Sequence, residues 1–154
     1  MIDLVTRRAY FDDYADTIER LPPSLVQYGV RFSCPCCGYP TLNRRGLDGI
    51  CHLCSWEDDG QDDHDADDVR RGPNNQWSLT RARDNFVTYG VMYEPELDRR
   101  IGGPDSPEVR RIKGEIIAAF DEMQRTPMDD HERLWATVHA GDRELYRILL
   151  RSIG

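Results

Sequence analysis

Cys34 and Cys37 form one C-x-x-C pair and Cys51 and Cys54 form another, with thirteen residues between them. A C-x-x-C turn can aim two thiolates at one metal ion, and a short hairpin can bring two such turns together. This is the ligand spacing of a four-cysteine zinc site, slightly tighter than the common ribbon spacing. Pro35 pre-sets the first turn, and Gly38 permits a positive φ just after a ligand. Four thiolates fill a tetrahedral sphere and leave no position for a catalytic water, so the expectation is one structural Zn2+. The competing readings are two disulfides or plain buried thiols. Disulfides belong to oxidising compartments. Residues 1–21 carry Asp3, Arg7, Arg8, Asp12 and Asp13 and have no continuous apolar core, so no secretory signal is expected. The cysteines therefore point to a cytoplasmic metalloprotein. Cys36, the fifth cysteine, sits in the variable slot of the first turn and is read as a spare thiol.

The elements that must position these thiols follow from hydrophobic pattern and capping. Tyr28, Val30 and Phe32 alternate, which predicts a strand over 27–33 leading into the first turn. Thr41-Leu42 begins the return, 43–49 is a polar turn, and Ile50 reaches the second pair, the layout of a zinc-ribbon hairpin. Trp56 is expected to pack over the metal end. Ser78 is a good N-cap, Leu79, Ala82, Phe86 and Tyr89 share a helical face, and Gly90 is a natural stop, so a helix over 79–89 is expected to pack on the ribbon. Upstream, Thr6 followed by Tyr10, Tyr14, Ile18 and Leu21 predicts an amphipathic helix over 7–20 that ends at Pro22-Pro23. Downstream, Ser106 and Pro107 open a helix over 107–125 carrying Val109, Ile112, Ile116, Phe120 and Met123. A further helix starts near Asp129 or Asp130, with a break expected at Gly141-Asp142. The fold class is α+β: a small four-cysteine ribbon hairpin, a packed helix, and helices added at both ends. The expected organisation is an N-terminal helical extension (1–30), the cysteine-rich domain (31–93), a Gly/Pro-containing linker (94–105) and a C-terminal helical region (106–154).

The chain has 28 acidic and 20 basic residues, for a formal net charge of −8. Residues 57–68 hold Glu57, Asp58, Asp59, Asp62, Asp63, Asp65, Asp67 and Asp68 with no Lys or Arg, so the net charge equals the charge of this one loop. No apolar run approaches the ~18 residues a membrane helix needs.

Several separate motifs then carry a resemblance. Cys34-Pro-Cys-Cys-Gly-Tyr, the second C-x-x-C followed by Trp56-Glu57-Asp58-Asp59-Gly60, then Gly72-Pro73-Asn74, and Ser78-Leu79-x-x-Ala82-Arg83-x-Asn85-Phe86 resemble the bacterial cysteine-rich CPCC domain family over about residues 31–90. The second turn in that family usually reads C-P-x-C, and His52 here replaces the proline without removing a ligand. The resemblance implies a small zinc-binding module with no known reaction, met in bacterial genomes often near polymorphic-toxin and immunity loci.

Three function classes can be weighed against these residues. A nucleic-acid-associated zinc-ribbon adaptor needs a basic face, for which Arg31, Arg44, Arg45, Arg70, Arg71, Arg81 and Arg83 are available, but the adjoining acidic loop would repel phosphates, so nucleic acid is not the expected ligand. An enzyme needs an assembled constellation, and His52, His64, His131 and His139 lie in no catalytic motif, so no catalytic residues are assigned. A protein-binding role suits a dense anionic loop on a metal-stapled scaffold. The expected function is an immunity protein that occludes a cognate toxin with a basic surface, with Asp58, Asp59, Asp62, Asp63, Asp65, Asp67 and Asp68 as contacts and Trp77 or Tyr39 as apolar anchors.

Overall fold

The computed structural model describes residues 2–17, 25, 28–29 and 31–153. Helices α1 (Leu4–Thr17), α2 (Leu79–Tyr89), α3 (Pro107–Met123) and α4 (His131–Ile153) accompany two short strands, β1 (Phe32–Ser33) and β2 (Pro40–Leu42). The chain divides into two compact units. One joins α1 to residues 31–97, and the other joins the described residues 25 and 28–29 to 98–153. The division falls after Leu97, and α1 belongs to the same unit as the cysteines.

In the first unit β1 and β2 pair antiparallel, Phe32 opposite Leu42 and Ser33 opposite Pro40, with an irregularity between the two pairs. A second, isolated antiparallel bridge joins Ile50 to Glu57. The fold is thus α+β, with a two-stranded hairpin beside the cysteines. The strand expected over 27–33 is paired only at Phe32–Ser33. Tyr28 lies in a turn and belongs to the other unit, and residues 27 and 30 lie outside the described ones. Helix α1 starts earlier than expected because Asp3, not Thr6, caps it: Asp3 Oδ1 accepts from the Thr6 amide at 2.8 Å. The Asp3 carboxyl is held below its usual range chiefly by that bond. The helix buries Arg7, Phe11, Tyr14 and Ala15, whereas Ile18, Leu21 and the Pro22-Pro23 stop lie outside the described residues. Helix α2 forms as expected. Ser78 Oγ accepts from the Arg81 amide, Gly90 closes the helix with φ 78°, and Leu79 and Ala82 are buried.

In the second unit α3 and α4 pack as a pair over Ile112, Ile116, Phe120, Met123, Leu134, Trp135 and Val138. Ser106 caps α3 with Pro107 in its first turn. Helix α4 runs unbroken through Gly141-Asp142, against expectation. Gly141 is buried, and a Cβ there would lie 2.5 Å from Ile116 Cγ1, so the glycine serves close helix approach rather than termination. Residues 98–105 are anchored rather than loose. Arg100 pairs with Asp98 and Asp105, and Lys113 reaches Asp105 at 2.7 Å. Among the described residues, no helix is long and apolar enough to cross a membrane.

Candidate metal centre and acidic loop

Two backbone turns of the same construction deliver the four thiols. In the first, the Cys34 amide donates to Tyr39 O and the Gly38 amide to Cys34 O; in the second, Cys51 donates to Trp56 O and Ser55 to Cys51 O. The residue after each second cysteine takes a left-handed backbone, Gly38 at φ 81° and Ser55 at φ 72°. Glycine meets that requirement without cost in the first turn, and serine bears it in the second. All four cysteines are buried, and their sulfurs lie within 4.8 Å of one another. The Cys34–Cys54 and Cys37–Cys51 sulfurs are each 3.7 Å apart. That is far beyond a disulfide bond of about 2.05 Å. It matches the edge of a sulfur tetrahedron around a metal with bonds of about 2.3 Å, which is about 3.8 Å.

The donor chemistry fits a cation as well. Burial pushes the Cys34, Cys37 and Cys54 thiols up. Burial also opposes ionisation of Cys51, but hydrogen bonds from the other three thiols bring it below its usual value. Four buried thiols in mutual contact gain a common reason to ionise when a divalent ion sits among them. Thr41 Oγ1 donates to Cys51 Sγ at 3.0 Å and the Trp56 amide to Cys54 Sγ at 3.4 Å, the kind of outer hydrogen bond that orients thiolate ligands. Trp56 is fully buried, as expected for the packed aromatic. Cys36 is buried and stands outside the four-cysteine cluster.

Sequence reasoning missed Arg7. This α1 residue is 5% exposed, and its guanidinium donates from Nε (2.9 Å) and Nη2 (2.6 Å) to the carbonyl of Cys37 and from Nη1 to Ile2 O. It also lies 4.4 Å from the centre of the Tyr39 ring. An arginine one position before another on a helix gives no signal of burial. Its role depends on a contact thirty residues away.

The acidic loop is not a solvated run. Asp58 is fully buried; its Oδ2 accepts from Arg45 Nε at 2.8 Å and the Gly46 amide at 2.7 Å, and its Oδ1 from the Gly60 amide. Asp62 accepts Arg8 through both of its oxygens and Arg45 through one, and it caps the short turn Asp63–Asp65. Although burial opposes it, these arginine bonds hold the Asp62 carboxyl far below the usual carboxylate range. Arg70 engages Asp59 and Asp65, and Arg83 pairs with Asp63 at 2.7 Å. Gln61, also buried, donates to the carbonyls of Asp65 and Asp68. Asn74 of the Gly72-Pro73-Asn74 motif stitches the loop's start, exchanging two hydrogen bonds with the Glu57 backbone.

The expected contacts therefore separate. Asp58 is enclosed and unavailable to a partner. Asp59, Asp62 and Asp65 are largely covered and paired with arginines. Asp63, Asp67 and Asp68 face outward. The two expected anchors are also internal. Tyr39 is 1% exposed beneath Arg7 and against Phe86, and Trp77 is 3% exposed, donating to Glu94 and packed edge-on against Tyr93. Exposed apolar side chains among the described residues of the loop and hairpin include Val69, Leu47 and Ile50. His131 is buried with Nε2 3.1 Å from Thr126 O, and His139 meets the Tyr28 ring edge-on.

Nothing among curated proteins and nothing among solved structures matches the chain. A family model does: residues 32–106 match Cysteine-rich CPCC, a span that holds both cysteine turns, the acidic loop and α2. Over that segment, just under half of the chain, the sequence matches the cysteine-rich CPCC family.

Proposed function

We propose that this chain is a zinc-stapled protein-binding module whose role is to capture and occlude a protein partner with a basic surface, a cognate bacterial toxin being the class that the family's genomic company favours. The metal is one structural Zn2+ on Cys34, Cys37, Cys51 and Cys54, and its work is folding. The reading assigns no reaction to the chain. The observation that carries it is the state of the loop. Four guanidiniums, from Arg8, Arg45, Arg70 and Arg83, pair with five of the loop's eight carboxylates, Asp58, Asp59, Asp62, Asp63 and Asp65. Those pairs fix the loop's shape, and exposed carboxylates are displayed at Asp67, Asp68 and the Arg83-paired Asp63 on a backbone that is already ordered. A preordered anionic surface loses little conformational freedom on binding and complements a cationic partner at contact. The same pairing occupies Arg45, Arg70 and Arg83, which a nucleic-acid interface would need.

The test is capture from the native host with the zinc-loaded chain as bait. One stoichiometric partner with a basic domain supports the reading, provided that the triple variant Asp63→Asn, Asp67→Asn and Asp68→Asn weakens its capture. Capture that is unchanged in that variant removes the acidic mechanism. Recovered material that disappears on nuclease treatment supports the adaptor role instead.

A further inference from the structure

Arg7 is a buried cation, and among the described residues no carboxylate pairs with it: its donors end on the carbonyls of Cys37 and Ile2 and its face on Tyr39. A guanidinium removed from water needs a nearby anion. Four thiolates around one divalent ion carry a formal charge of about −2, and Cys37 is one of those four. The approach is close by design of the backbone. Gly38 follows Cys37, and a Cβ there would lie 2.8 Å from Leu4 Cδ1 and 3.0 Å from Arg7 Nε. A second bond fixes the helix nearby, from Ser33 Oγ to Asp12 at 2.6 Å. Helix α1 lies outside the family match, which begins at residue 32.

We infer that Arg7 is the counter-ion of the metal–thiolate centre, brought to it by a helix from outside the family domain. Its bonds to the Cys37 carbonyl place the positive charge against a residue that would hold the metal. Metal loading and docking of α1 on the first cysteine turn are then one coupled event, and each strengthens the other by the same factor. This inference concerns the metal site and does not depend on the identity of any partner.

The test uses the full chain loaded with zinc and a competing chromophoric chelator. Arg7→Met should weaken zinc binding about 10–100-fold, the usual effect of losing an outer-shell partner. Arg7→Lys keeps the charge but loses the fork, and should recover much of that loss. Arg8→Met, on the same helix but paired with Asp62, should stay within about threefold of the parent, as a change outside the outer shell should. Zinc affinity of Arg7→Met equal to that of the parent overturns the proposal. So does Arg7→Lys as weak as Arg7→Met, because charge would then be irrelevant, or Arg8→Met as weak as Arg7→Met, because the effect would then be general damage to α1. Where Arg7→Met does not fold even with zinc, Arg7→Lys decides: near-parent affinity upholds the counter-ion, and loss comparable to that of Cys54→Ser refutes it.

Discussion

Asp58 and Asp68 stand ten residues apart in the same acidic loop and should behave as different kinds of residue. The Asp58 carboxylate is fully enclosed and accepts one guanidinium and two backbone amides, Arg45 Nε, Gly46 N and Gly60 N. Replacement by Asn keeps the shape but removes the charge and presents an NH2 group to donors, so at least one of the three is left without an acceptor. Bonds to charged groups contribute about 1.5–3 kcal/mol each. Arg45 keeps a second carboxylate at Asp62 and is about one-third exposed, which softens the loss. The expected cost of Asp58→Asn is therefore about 2–3 kcal/mol, and that of Asp58→Ala about 3–4 kcal/mol, near the lower end for breaking a buried pair. Asp68→Asn, at an exposed position, should stay within about 0.5 kcal/mol of the parent. Urea unfolding of zinc-loaded protein, followed by release of zinc to an indicator dye, reports on the unit that contains both residues. Equal midpoints for Asp58→Asn and Asp68→Asn, with unchanged slopes, would refute the division of this loop into structural and displayed carboxylates.

Other outcomes follow from the same structure. Cys54→Ser should abolish stoichiometric zinc retention by metal analysis while helical signal from α3 and α4 persists in circular dichroism; Cys36→Ser should retain one zinc per chain. Gly141→Ala gains about 1 kcal/mol of helix propensity but must displace fully buried Ile116, with a net loss of about 1–2 kcal/mol in thermal or urea unfolding. The Asp62 pKa is lowered in the folded protein, so its contribution is complete above the unfolded value of about 3.9 and falls away as pH drops below that point. An acid titration of stability should show this loss below about pH 4, and Arg8→Gln should reduce its size; an unchanged profile would count against the Arg8–Asp62 pair.

What the sequence disclosed was mostly local. The cysteine spacing, the Ser78 and Ser106 caps and the Gly90 stop each declare themselves within one turn of chain, and the structure uses each of them. Gly141-Asp142 carries the same letters as a helix break, but glycine also lets helices approach closely, and only the neighbour Ile116 decides between the two meanings. Asp3 and Thr6 are both acceptable caps, and the choice falls to the one whose helix buries Phe11. The roles of Arg7, Arg8, Arg45 and Asp58 depend on partners 13 to 54 residues distant. A run of aspartates reads as solvated until the arginines that enter it are placed.

The arginine staples also limit how far the loop can be felt. At physiological salt an exposed charge is screened beyond about 8 Å, and charges closed into short internal pairs contribute little at any distance. A partner approaching through water would therefore experience the outward carboxylates rather than the eight that the composition counts. The ionic-strength dependence of its association rate should be correspondingly shallow, and encounter would rely on contact with a surface of fixed shape more than on long-range attraction.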